Sequence, residues 1–173
     1  RAVGGVFQDE LPDVPGWSHD FPDRFRAEAG YDLLALLPAI FGDPVPEGPI
    51  DGARVRLDYH RVRALLARQA FFDPLAAWLD AAGLPCGFDQ QSPAREGSPI
   101  GGVAQYADYF QTHARYRIPG CDHWGDAKIH SSLAHAHGHE RVWIESFYAS
   151  GWGGTLEETY DWLAPFFRRG ANL

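Results

Sequence analysis

Apolar positions in this chain follow two rhythms. Short blocks of adjacent apolar residues alternate with longer stretches in which they return every three or four places. Residues 3–7 form a first block that runs into Asp9-Glu10, the signature of a buried strand with a polar tip. Prolines and Gly16 then mark residues 11–21 as a loop carrying Trp17 and His19. Pro22 at a first-turn position and Gly30 as a stop bracket a short helix over 22–29. A second short helix is expected over 31–41, closed by Gly42, and a Pro/Gly-rich linker over 43–52. The longest periodic stretch, 53–82, carries Leu57, Val62, Leu65, Phe72, Leu75 and Leu79 on helical spacing, with arginines mostly between them. It predicts an amphipathic helix interrupted near Asp73-Pro74 and ended by Gly83.

The second half repeats the alternation. Residues 84–88 read as a strand tipped by Asp89, Gln90 and Gln91, followed by a Gly/Pro/Ser loop over 92–102 and a weaker helix over 103–114. A short apolar run to Cys121 leads into Asp122-His123-Trp124. Asp126 is placed to cap a helix over 127–137, with Gly138 behind it. Residues 141–147 predict a strand with Glu145 near its carboxyl end, and 150–154 a small-residue loop. Thr155 opens a helix over 156–169, with Glu157 and Glu158 in its first turn and Arg168 and Arg169 in its last, the order that suits the helix dipole. Ala171-Asn172-Leu173 resembles the start of one more strand.

Short strands separated by helices imply parallel βα units and an α/β fold. Residues 1–173 are expected to form one domain, roughly the C-terminal half of a (β/α)8 TIM-type barrel, since a whole one needs about 250 residues. A small open α/β sheet is the runner-up. No GxGxxG or P-loop supports a nucleotide site there.

Composition narrows the function classes. With 45% hydrophobic residues the chain can bury a core, and no apolar run is long enough for a membrane helix. A net charge of −8 opposes binding to nucleic acid. Two cysteines make no disulfide framework. The opening Arg1-Ala2-Val3-Gly4-Gly5 is neither an initiator nor a secretory signal, so the chain is expected to be part of a longer one. An extracellular or periplasmic location would then depend on a signal upstream.

The candidate chemistry sits at the strand ends, where ligands gather in parallel α/β folds. Glu10 and Glu145 are the leading pair. In one barrel both would face the same mouth, as general acid and general base of a glycoside hydrolase. Trp17, Trp124, Phe147, Tyr148 and Trp152 fall in strand-end loops, where rings stack on apolar sugar faces. Asp9, His19, Asp89, Gln90, Asp122 and His123 are candidate substrate-binding residues. Asp9 and Glu10 should point to opposite sides of a strand, so only one shares the pocket. His135, His137 and His139 alternate, but at a helix end residues i and i+2 do not share a face; a dipole-favoured cluster is the better reading than a metal site. Two rivals stand beside the hydrolase: a non-catalytic carbohydrate-binding domain with a degenerate barrel, favoured by Gln90, and a metal-dependent hydrolase using His123 and the 135–139 histidines.

The motifs Phe7-Gln8-Asp9-Glu10, Gly16-Trp17-Ser18-His19-Asp20-Phe21, Gly30-Tyr31-Asp32-Leu33 with Leu37-Pro38-Ala39, and Arg54-Val55-Arg56-Leu57-Asp58-Tyr59 resemble glycoside hydrolase family 106, the large bacterial α-L-rhamnosidases. So do Phe71-Phe72, Ala134-His135-Ala136-His137-Gly138 and Val142-Trp143-Ile144-Glu145-Ser146-Phe147. The resemblance runs in order along nearly the whole chain. It implies a (β/α)8 catalytic core within a longer multidomain chain, with the remaining domains as partners. It further implies inverting hydrolysis of α-L-rhamnosides in glycans or glycosides, calcium as a cofactor, Glu10 as general acid and Glu145 as general base. The sequence departs after the second strand, where Phe88-Asp89-Gln90-Gln91 stands at a place the family tends to fill with a glutamate. An amide does not replace a carboxylate as a calcium ligand or charge partner.

Overall fold

In the computed structural model, which describes residues 3–92, 94–146 and 151–173, four short strands run the same way with helices between them. Strand β1 (Val6–Leu11) pairs in parallel with β2 (Cys86–Gln90), and β3 (Gly120–Cys121) with β4 (Trp143–Ile144). The two pairs adjoin: Ile118 N–H donates to Cys86 C=O at 3.2 Å, and further along Asp122 N–H donates to Asp89 Oδ1 at 3.0 Å. The expected stub also lies along the sheet. Ile144 N–H donates to Leu173 C=O at 3.0 Å, and the N–H groups of Asn172 and Leu173 donate to Val142 C=O at 2.8 and 3.1 Å.

The first strand sits further along the chain than its apolar run predicts. Val6 N–H bonds Pro85 C=O at 2.9 Å, and Leu11 at the far end is buried. Register then slips: Gln8 opposes Phe88 and Leu11 opposes Gln90, so β1 carries one extra residue. That bulge contains Asp9 and Glu10, and Glu10 takes a φ of 39°, left-handed backbone that a non-glycine residue adopts only at a cost. The simple alternation expected of Asp9 and Glu10 does not hold across it.

The helices follow their punctuation. Helix α1 (Phe21–Ala29) stops at Gly30, whose φ of 83° needs no Cβ, and a 3-10 helix (Leu34–Phe41) stops at Gly42 in the same way. Helix α2 (Gly52–Ala67) starts where Asp51 Oδ1 accepts from Arg54 N–H. The interruption expected near Pro74 takes the form of a π-helical turn (Arg68–Phe72) leading into α3 (Asp73–Ala82). Pro74 lacks the N–H for the regular ladder, and the wider turn absorbs the defect.

Helix α4 (Pro99–Tyr106) begins four residues before its predicted start. Ser98 Oγ accepts from Gly101 N–H, and Pro99 supplies the first-turn backbone, so Gly101 and Gly102 are helical rather than loop. Ala107, with φ of 62°, ends it, and a short α5 (Tyr109–Thr112) follows. Helix α6 (Ala127–His137) and helix α7 (Leu156–Arg168) match their caps, the latter with a full capping box between Thr155 and Glu158. Among the described residues no helix is long and apolar enough to cross a membrane.

Three apolar clusters hold these elements. One joins β1, β2 and α3 through Leu11, Phe72, Leu79, Phe88 and Tyr116. A second joins α1, the 3-10 helix and α2 through Phe25, Leu33, Val55 and Val62. The third joins β3, β4 and α6 with Ala171, and α7 packs against it.

Candidate functional site

The carboxyl ends of β1, β2 and β3 converge on one side chain, Arg95, in the loop after β2. Its Nη2 donates to Glu10 Oε1 at 3.1 Å and lies 3.6 Å from Asp89 Oδ2, while Nη1 bonds Asp122. The Arg95 side chain is 8% exposed, Asp89 is fully buried and Asp122 partly so, whereas the Glu10 side chain is 59% exposed. Burial pushes the Asp89 carboxyl up to about 6, with Asp122 and Asp9 adding to the push; the bond from Asp122 N–H and the Arg95 charge pull the other way and lose. Asp122 also bonds the neighbouring His123 ring, which packs against Trp124 with centroids 5.0 Å apart.

The Arg95 loop is fixed from both sides. Gln105 on α4 accepts from Ala94 N–H at 2.9 Å and donates to Ser92 C=O at 3.0 Å. Arg95 N–H bonds Gln91 C=O, and Arg95 C=O accepts from Asp126 N–H at 2.7 Å. Buried Tyr106 ties the first two strand ends together, its hydroxyl donating to Leu11 C=O and accepting from Gln91 N–H. Buried Arg63 on α2 donates to Val14, Pro15 and Ala104 carbonyls, and Tyr59 donates to Gly16 C=O. These bonds hold the loop after β1 against α2.

The other expected residues are distributed around this cluster. Glu145 follows β4 at the same end of the sheet, exposed, with its N–H on Cys121 C=O at 2.9 Å. Gln90 is 1% exposed, its amide turned inward toward Phe88 C=O. Trp17 packs on Phe21 at 5.1 Å, toward the second apolar cluster, and His19 is exposed nearby in sequence. Trp124 and Trp152 are largely exposed. Phe147 and Tyr148 lie outside the described residues. Two open grooves of about 890 and 730 Å³ run beside α2, lined by residues such as Phe41, Ile100 and Phe110, and neither includes the Arg95 cluster.

The remaining reactive groups are turned to structure. Burial pushes the Cys86 thiol up to about 11 and Cys121 higher still, so neither is a thiolate near neutrality. His135 and His137 are exposed at the end of α6, and His139 bonds Ala114 C=O at 2.9 Å. The described residues contain no group of three or more His, Cys, Asp or Glu arranged to hold a metal ion. Calcium takes six to eight oxygens. Here the three carboxylates that converge are turned onto a guanidinium, so this cluster does not fit the calcium implied by the family resemblance.

Arg95 escaped the sequence reading because it lies in a segment rich in Gly, Pro and Ser. A signal was present: across the strand-end segments 9–20, 89–98, 122–126 and 145–155 it is the sole Lys or Arg, set against nine Asp and Glu. A lone cation among so many acids at one end of a sheet is a natural hub.

No family model matches the chain, and no curated protein matches it. Among solved structures, the chain is similar to a rhamnosidase from Novosphingobium sp. PP1Y, with a TM-score of 0.71 and 20% sequence identity. The match covers 99% of this chain and 17% of that one, and it is a likeness of fold.

Proposed function

We propose that this chain supplies part of the catalytic centre of a glycosidase, an inverting hydrolase of α-L-rhamnosides, and that its parallel strands are an arc of a (β/α)8 barrel. The observation that carries the reading is Glu10. It stands at the end of β1 on a strained bulge, within bonding distance of a buried arginine shared with two other strand-end carboxylates. Strain of that kind concentrates where a side chain must be aimed. Glu145 at the same end of β4 supplies a second, exposed carboxyl. The fold likeness to a rhamnosidase supports the substrate class.

In this scheme Glu10 protonates the glycosidic oxygen as it leaves, and Glu145 takes a proton from the water that attacks the opposite face of the sugar. Trp124 and Trp152 offer exposed rings to the sugar's apolar face, and Asp9 a carboxylate to its hydroxyls. The chemistry is carried by this chain's own carboxylates. Replacing a positioned acid or base typically costs 10²- to 10⁴-fold in rate. Glu10→Gln and Glu145→Gln should therefore each remove most activity on an alkyl α-L-rhamnoside. The first sugar released should be the β-anomer by NMR. Sugar binding by calorimetry with no turnover would instead select a non-catalytic carbohydrate-binding domain.

A further inference from the structure

We propose that Arg95 is a positioning residue that holds Glu10 in its acid-donating pose; the proposal rests on the glycosidase reading of Glu10. Glu10 is the exposed member of the cluster, and an exposed glutamate has several side-chain torsions to wander through. Its bond to Arg95 removes that freedom. Arg95 itself cannot follow Glu10 around. Asp122 holds the other terminal nitrogen of the guanidinium, buried Asp89 lies 3.6 Å from the nitrogen that bonds Glu10, and the Arg95 backbone is bonded to Gln91 and Asp126. The planar fork of an arginine spans three carboxylates at once, which the single ammonium of a lysine does not.

A positioning role leaves a chemical trace that a merely structural one does not. Protonation by Glu10 matters when the leaving group is a poor one, such as an alkoxide, and matters little when it is nitrophenolate, which departs without a proton. If Arg95 acts through Glu10, its loss should be felt on the first kind of substrate and hardly on the second.

The test is Arg95→Lys in the protein, assayed on methyl α-L-rhamnoside and on 4-nitrophenyl α-L-rhamnoside, beside Glu10→Gln. For Arg95→Lys, kcat on the methyl glycoside should fall about tenfold or more, with KM little changed and the nitrophenyl rate within about twofold of wild type. Equal losses on both substrates, or no loss on either, would overturn the positioning role. Should the lysine variant fail to fold, Asp122→Asn loosens the same guanidinium while leaving Arg95 in place. It should show the same leaving-group asymmetry, and an even loss would again overturn the proposal. Glu10→Gln separates the two ideas. Full activity of that variant on the methyl glycoside overturns the assignment of Glu10 as general acid, on which the proposal rests. A selective loss there, with an even effect from Arg95→Lys, overturns only the role of Arg95.

Discussion

The amide N–H of Asp122 donates to Asp89 Oδ1 at 3.0 Å, so the carboxyl ends of β2 and β3 are joined by a side chain where the backbone ladder stops. That bond places a buried carboxyl where burial raises it to about 6 from an ordinary 3.8.

The raised Asp89 has a defined sign in the pH dependence of stability. Between about 4 and 6 the folded chain holds a proton there that the unfolded chain has lost. Its contribution is thus fully present below pH 4 and disappears as pH rises through 6, a change of about 3 kcal/mol. Asp89→Asn keeps an acceptor for Asp122 N–H and has no proton to lose. Urea unfolding at pH 4, 5, 6 and 7 should show the variant gaining on wild type as pH rises. A constant gap between the two would contradict it.

His113 and His130 act with the opposite sign. Both are fully buried, and burial pushes each down to about 3 from 6.5. They are neutral in the folded chain, so stability is present above pH 6.5 and lost as pH falls toward 3, by up to about 1.4 kcal/mol per pH step for each ring. His113→Phe removes one of the two titrating rings, and the Thr112 hydroxyl that contacts His113 Nδ1 keeps its bond to Asp108 C=O; any packing cost is the same at every pH. Relative to wild type, that variant should be spared about 1.4 kcal/mol of loss per pH step between pH 6 and 4, read by urea denaturation of both proteins at each pH.

Glu10→Gly should separate stability from activity. The substitution relieves a φ of 39°, a strain of about 1 kcal/mol, and gives up one partly exposed ion pair worth no more than that. The thermal midpoint should hold or rise while rhamnoside hydrolysis is lost. A clear fall in the midpoint would show that the bulge is stabilised by the side chain.

Gly120→Ala should be costly. A Cβ at Gly120 would collide with the Trp143 carbonyl oxygen and with its indole ring, and Gly87 on β2 faces the same ring, its Cβ position 2.9 Å from Nε1. Prising β3 from β4 disturbs the parallel pairing of those two strands. A loss of about 3 kcal/mol is expected by chemical denaturation, in the range of overpacked core sites.

Much of this architecture was legible in the sequence because its signals are local. Asp126 and Gly138, or Thr155 and Glu158, fix helix ends through bonds made within a turn. What was missed is of two kinds. Glu10 owes its bulge to register against β2, some 80 residues away, whereas the early start of α4 rests on a local cap, Ser98, set in a Gly/Pro/Ser-rich stretch that reads as loop. Glu10, Asp89 and Asp122 were found as strand tips. Their common partner was not, since nothing local in Ser92 to Ser98 says which way an arginine will turn.

The edges of the sheet are unequal. At β4 the C-terminal residues cap the open side, but β1 has β2 as its one strand neighbour among the described residues, and Val3 and Val6 are exposed at its start, while Phe7 packs against Trp143 of β4. An uncovered apolar edge invites strand addition. In a preparation of residues 1–173 alone, self-association through that edge would compete with folding. Val6→Lys, at an exposed position at the start of β1, would be a rational way to keep such a preparation monomeric for the measurements above.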